Sequence, residues 1–180
     1  MQKEIIMEKI VQMAIPIKLL LLDVDGVLTD GKLYFSEQGD EIKAFNILDG
    51  LGIKLLQQNG IKVGIITGRN TRLLERRAEN LGISLVVQGR EDKREAMMEI
   101  LTELSIDMDE VAYMGDDLPD LPAILAAGLG MTVDNAHPLV KEKASWVSSK
   151  KGGEGAVREA CDFLLDAQGK LELTLKPYLY

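Results

Sequence analysis

This 180-residue chain is short of cysteine, of positive charge and of long apolar runs. Its one cysteine, Cys161, excludes an intrachain disulfide and fits a reducing cytoplasm. Acidic residues outnumber basic ones, 29 to 21, and the net charge of -8 argues against a nucleic-acid partner held by its phosphates. A small phosphorylated substrate stays compatible, because a metal ion and a few Lys or Arg residues reverse the field locally. No apolar stretch is long enough to cross a membrane. Lys3, Glu4, Glu8 and Lys9 interrupt the first apolar residues, which leaves no signal-peptide core, and a cytoplasmic location is expected. Internal repeats and low-complexity segments are absent as well. The hydrophobic fraction of 46% suits a folded globule, and the length suits one domain with a real core.

The most informative stretch runs from Ile17 to Asp30. An apolar run, Ile17 to Leu22 with Lys18 inside it, leads straight into Asp23, Asp25 and Gly26. It reads as a buried parallel strand whose carboxyl end carries the two acids, where open α/β sheets bind ligands. Side chains two apart on a strand share a face, so Asp23 and Asp25 are expected in one small volume. Close carboxylates repel unless a cation or shared proton intervenes, and hard oxygen ligands suit Mg2+. Two other readings stand beside this one. An Asp-Gly pair is common in simple turns. A calcium loop is the second, but Val27 stands where a third oxygen ligand belongs and a strand precedes the loop.

Further along, residues 2–13 suit an amphipathic helix, and Lys32–Phe35 with Glu41–Phe45 suit a hairpin. Asp49 is expected to cap a helix reaching about Gln58. Strands follow at Ile61–Ile66, Leu85–Gln88, Val111–Met114, Leu129–Val133 and Trp146-Val147. Helices are expected following Thr67-Gly68-Arg69 to Leu81, from Lys93 to about Leu104, over Asp120–Ala127, from Pro138, and over Gly155–Gln168. That alternation predicts a Rossmann-like three-layer α/β/α fold with a mainly parallel sheet and an inserted β-hairpin. The expected division is an extension at 1–16, one domain at 17–168 and a tail at 169–180 that no element claims.

Polar groups fall at four places along the edge where the strands end: Asp23 and Asp25, Thr67, Lys93, and Asp116 with Asp117 and Asp120. Each has an ordinary explanation as a turn, a cap or a solvated lysine. Their ordered combination resembles the haloacid dehalogenase superfamily of phosphotransferases, over about residues 17–168. The resemblance implies that Asp23 is the nucleophile and forms an aspartyl-phosphate. It makes Asp25 the acid for the leaving alkoxide and then the base for water, which points to phosphate-ester hydrolysis. Asp23, the main-chain carbonyl of Asp25, and Asp116 are implied ligands of Mg2+. Thr67 and nearby amides, with Gly26, Gly68 and Arg69, are the implied substrate contacts. Lys93 is implied to neutralise developing charge, with Asp117 and Asp120 orienting it.

The stretches between Asp23 and Thr67 and between Thr67 and Lys93 leave no room for a cap domain. A capless member acts on large substrates or closes its site with another subunit. Asp25–Gly31, Phe45–Gly50, Gly82-Ile83, Asp134–Pro138 and Gly152–Glu159 together resemble the 3-deoxy-D-manno-octulosonate 8-phosphate phosphatase family. That family implies a small anionic sugar phosphate substrate, a role in lipopolysaccharide synthesis, and a homotetramer. The hairpin would form its seam, and the tail after Gly169 would lid a neighbour's site. Leu48 and Glu154 depart from the pattern, standing where relatives often carry a basic or polar residue and an Arg. A nine-carbon ulosonate phosphate is therefore the alternative substrate. A non-catalytic oligomerisation module is the alternative class, which the full set of acidic groups, Thr67 and Lys93 disfavours. Arg69 suits reading the substrate's charge or a salt bridge, and His137, the only histidine, suits a structural role before Pro138.

Overall fold

The structure, a computed structural model, describes residues 2–179. Helix α1 (Gln2–Ala14) leads to β1 (Leu19–Leu22), whose four leucines are all fully buried. Such a strand needs a neighbour on each side and helices over both faces. It has them, for the sheet order is β5-β4-β1-β6-β7-β8, with β4 Lys62–Ile66, β5 Leu85–Val87, β6 Val111–Gly115, β7 Leu129–Thr132 and β8 Trp146–Val147. Every pairing within this sheet is parallel. The connections run outward from β1 in one direction through α2 (Ile47–Gln58) and α3 (Arg72–Leu81). They then return across it and run the other way through α4 (Lys93–Leu104), α5 (Leu121–Ala126) and α6 (Pro138–Lys143). Right-handed crossovers put these two sets of helices on opposite faces. Helix α7 (Ala156–Ala167) joins α1 and α2 on the first face. The three layers agree with the expected fold class, and the order reverses beside β1, where ligands of such sheets bind.

Several local expectations need correction. Asn46, not Asp49, caps α2: its side chain accepts from the Leu48 amide at 2.8 Å. Asp49 lies inside the first turn, 1% exposed, and accepts from the Arg158 amide at 2.8 Å. Helix α3 follows the Thr67-Gly68-Arg69 motif as expected, starting at Arg72 after Thr71, whose hydroxyl accepts from the Leu74 amide. The expected helix at 120–127 divides into a 3-10 turn, Leu118–Asp120, and α5. The hairpin strands shrink to β2 (Tyr34–Phe35) and β3 (Glu41–Ile42), paired antiparallel in a separate two-stranded sheet. A lone ribbon has no third strand to extend its ladder, and most of its side chains stay exposed.

The tail is not irregular. Lys170 and Thr174 tie it to Asn59 at the end of α2, and it winds into α8 (Leu171–Leu175) and a 3-10 turn, Lys176–Tyr178. Asn59 precedes β4, so the tail lies at the amino edge of this chain's sheet. The functional strand ends are at the opposite edge.

Candidate active site

The register puts Leu22 beside Ile65 of β4 and Met114 of β6. The residues that follow the three strands, Asp23 after Leu22, Thr67 after Ile66 and Asp116 after Gly115, leave the sheet at neighbouring strand ends, and the Asp23 amide donates to the Met114 carbonyl at 3.0 Å. Asp23, Asp25, Thr67, Gly68, Arg69, Lys93, Asp116, Asp117 and Asp120 all line one cavity of about 290 Å³. A larger groove of about 550 Å³ opens among Gln57, Lys62, Ser84 and Glu103 at the other edge, without a comparable cluster of carboxylates.

Lys93 is the first residue of α4 and is 5% exposed. Its ammonium lies 2.9 Å from Asp23 Oδ1 and 2.6 Å from Asp120 Oδ1. Burial works against its charge, but Asp23 and Asp120 outweigh that and its pKa is raised. Asp120, 1% exposed, also accepts from Tyr113 Oη at 2.9 Å and from the amides of Asp116 and Asp117 at 3.1 and 3.2 Å. Both its oxygens are thus occupied, which fixes Lys93 and leaves Asp23 and Asp116 as the freer carboxylates. Asp117 turns outward: its Oδ1 accepts from the Leu118 amide and starts the 3-10 turn.

Asp23 is 6% exposed; burial first, and the Asp120 charge second, push its pKa up to about 7. Asp116 is also pushed up to about 7, by burial and then by Asp23, Asp120 and Asp117. Carboxylates this crowded need a cation. Asp23, Asp116 and Asp120 each offer an oxygen, all within 4.8 Å of one another. The donor set is all oxygen and anionic, so the residues fit Mg2+.

Close backbone contact holds the cradle. Gly26 has φ +89°, and a Cβ there would lie 2.0 Å from Asp116 Oδ2. Thr29, 2% exposed, accepts from the amides of Gly26 and Gly31 and donates to the Val24 carbonyl. From behind, a Cβ on Gly152 would lie 1.7 Å from the Gly26 carbonyl oxygen. Thr67, 3% exposed, accepts from the Arg69 amide at 3.3 Å, which leaves its hydroxyl hydrogen free to donate. Glu91 stands over Gly68, where a Cβ would come within 2.2 Å of its Oε1.

The hairpin supplies groups that sequence reasoning missed. Lys43, with a side chain 3% exposed, contacts Asp25 Oδ1 and lies 3.5 Å from Glu41 Oε1. Glu41 in turn pairs with Arg69, so Arg69 takes its salt-bridge role in this structure. The available signal was the alternation Glu41-Ile42-Lys43, which puts both charges on one face of a strand. Tyr113 and Thr29 were missed too, being uncharged neighbours of the motifs. His137 caps α6 by accepting from the Leu139 amide, and its own amide donates to the Asp116 carbonyl. Leu48 is 53% exposed on the outer side of α2.

Comparison with known proteins adds independent findings. The family profile described as haloacid dehalogenase-like hydrolase matches residues 85–160. The chain is 50% identical over 165 residues to the 3-deoxy-D-manno-octulosonate 8-phosphate phosphatase KdsC of Yersinia pestis, covering 92% of this chain and 88% of that protein. A crystal structure of the phosphatase of that name from Moraxella catarrhalis, in complex with magnesium ion, phosphate ion and KDO, is 42% identical. It has a TM-score of 0.94 and covers 96% of this chain and 99% of that one. The cobalt-bound phosphatase from Haemophilus influenzae is 40% identical, with a TM-score of 0.89, and covers 94% and 100%.

Proposed function

Because the chain belongs to the 3-deoxy-D-manno-octulosonate 8-phosphate phosphatase family of haloacid dehalogenase-like hydrolases, we propose that it hydrolyses that sugar phosphate in lipopolysaccharide precursor synthesis. It is a Mg2+-dependent phosphoric monoester hydrolase. The observation that carries the chemistry is the crowding of Asp23, Asp116 and Asp120 against one another, with the ammonium of Lys93 held between Asp23 and Asp120.

In this reading an oxygen of Asp23 attacks phosphorus, and the bond from phosphorus to the sugar oxygen breaks. Asp25 gives its proton to the departing oxygen. Water then attacks the aspartyl-phosphate, Asp25 takes its proton, and the bond from phosphorus to Asp23 breaks to release phosphate. Thr67 and the Gly68 amide donate to phosphoryl oxygens, while Gly26 keeps the wall beside Asp116 thin. Lys93 balances charge on Asp23 and on the transferring group, and Asp120 keeps it in place. Mg2+ would be held by Asp23, Asp116 and the Asp25 carbonyl, and it supplies positive charge against the phosphoryl oxygens.

The reading extends to a homotetramer in the cytoplasm. Leu33, Phe35 and Ile42 on the hairpin and Ile47 on α2 are more than half exposed, an apolar surface that suits a seam between copies. Leu173, Tyr178 and Leu179 of the tail are similarly exposed, which suits contact with a neighbour. The lone buried Cys161 suits a reducing compartment, and among the described residues no helix is long and apolar enough to cross a membrane.

The test is phosphate release from 3-deoxy-D-manno-octulosonate 8-phosphate beside a nine-carbon ulosonate phosphate and hexose phosphates, with and without Mg2+. Preference for the eight-carbon ester, lost without metal and in Asp23→Asn, is expected. Preference for another ester moves the specificity, and absence of metal-dependent turnover refutes the enzyme reading.

A further inference from the structure

Asp25 sits on the turn beyond β1, with its side chain 26% exposed. Among the described residues, no group of the α/β core hydrogen-bonds its carboxyl. Among the described side chains, the group bonded to it is the ammonium of Lys43, 18 positions away on the hairpin. That lysine is 3% exposed and has Glu41 as its second anchor, itself bonded to Arg69. A buried lysine is expensive to desolvate, and a buried ion pair is weak evidence of net stabilisation. Such a pair does fix where one carboxylate oxygen points. With Oδ1 held by Lys43, Oδ2 is the oxygen left to face the cavity that Asp25 lines.

We propose that Lys43 is a positioning residue for Asp25, holding its carboxyl in the orientation that serves proton transfer to the leaving group. The role rests on the phosphatase reading above and deepens it. It also makes the hairpin part of the catalytic apparatus: Glu41 and Lys43 face the site, while Ile42 between them faces outward and is 55% exposed. The alternative is that Lys43 only pins the hairpin down, in which case its loss weakens every substrate alike.

The two roles separate by leaving group. An alkyl ester such as 3-deoxy-D-manno-octulosonate 8-phosphate needs a proton on its departing oxygen, whereas p-nitrophenyl phosphate releases a stable anion without one. kcat/KM reads only the steps up to that departure. Lys43→Met is expected to lower kcat/KM about 100-fold for the sugar ester, the scale of a misplaced catalytic group. The loss for p-nitrophenyl phosphate is expected to be less than about fivefold, since general acid assistance is what is lost. Affinity for inorganic phosphate stays within about twofold, because Lys43 is placed against Asp25 and not against the phosphoryl cradle. In an Asp25→Asn background the same substitution adds little, as expected of two residues acting as a unit. Lys43→Arg keeps a cationic donor and is expected to restore most of the wild-type ratio between the two esters.

Equal losses on both esters, or additive losses in the double variant, overturn the proposal. If Lys43→Met does not fold, Lys43→Gln keeps a donor in the pocket, and a selective loss of about tenfold on the sugar ester is then required. A wild-type protein inactive on both esters with Mg2+ refutes the phosphatase reading instead, so the two failures are distinguishable.

Discussion

Gly26→Ala isolates the tight cradle behind the proposed metal site. The substituted Cβ would lie 2.0 Å from Asp116 Oδ2 and 2.4 Å from its Cγ, where real contacts stay above 3.0 Å. To reach even that limit the carboxylate must retreat by about 1 Å, a displacement able to cost about 10²-fold in rate at a preorganised centre. The backbone contributes separately, since φ is +89° and an alanine there is strained by about 1–2 kcal/mol. Stiffening the unfolded chain offsets about 0.4–1 kcal/mol of this. The net destabilisation of about 1 kcal/mol lowers Tm by only about 2–4 °C in a chain of this size. The expected pattern is therefore a folded protein with a small Tm change, kcat/KM down about 100-fold, and half-activation at a higher Mg2+ concentration. Phosphate release across a Mg2+ titration, beside thermal unfolding, measures all three. A variant within threefold of wild type at the same Mg2+ midpoint refutes the close approach of Gly26 to Asp116 as a functional constraint.

Other perturbations test separate parts. Lys93→Met leaves Asp23 and Asp120 as buried carboxylates without their cation; a loss of about 3–5 kcal/mol in denaturant unfolding is expected, with near-complete loss of phosphate release. Asn46→Ala removes the α2 cap and the bond to the Gly153 carbonyl, so stability should fall by about 1–2 kcal/mol while half or more of the activity remains. Asp23 and Asp116 have folded pKa values raised above their unfolded ones. Without metal, the folded state thus binds more protons between about pH 4 and 7, and stability falls as pH rises through that window. Metal-free protein should melt higher at pH 5.5 than at pH 7.5, and Mg2+ should raise Tm more at pH 7.5; calorimetry showing the reverse order refutes it. Phe35→Asp on the exposed hairpin should convert the proposed tetramer to smaller species in light scattering, and an unchanged mass argues against that seam.

The sheet was legible because its strands alternate with helices and end on chemistry-bearing residues. Leu19–Leu22 announces a doubly covered strand, and Asp23, Thr67 and Asp116 follow their strands directly. What escaped was decided by contacts between distant segments. Asn46 and Asp49 are both good caps on local grounds; the Arg158 amide, 109 residues away, draws Asp49 inward and leaves the cap to Asn46. Asp117 and Asp120 are equivalent in the sequence as carboxylates near a turn. Only the approach of Lys93 and Tyr113 selects Asp120 for the interior, while Asp117 caps the turn. Glu41-Ile42-Lys43 read only as a hairpin strand because its ionic partners are distant in the chain, Asp25 before the hairpin and Arg69 after α2 and β4.

Each acid of the first motif has its own lysine, and each lysine has a second carboxylate behind it. Lys93 lies between Asp23 and Asp120, and Lys43 lies between Asp25 and Glu41. The two clamps come from different layers, one from the start of α4 in the α/β core and one from the hairpin outside it. Asp23 and Asp25, the proposed nucleophile and proton donor, are therefore oriented independently, so on that proposal the hairpin affects proton transfer without moving Asp23. Among the described residues Asp116 has no lysine paired with it, and its pKa rises through burial first and then through the charges of Asp23 and Asp120. Carboxylates outnumber cations around this cavity, which Asp23, Asp25, Glu91, Asp116, Asp117 and Asp120 line against Arg69 and Lys93. Burial first, and the neighbouring carboxylates second, hold Asp23 and Asp116 near a pKa of about 7, and an all-oxygen anionic donor set of this kind fits a hard divalent cation.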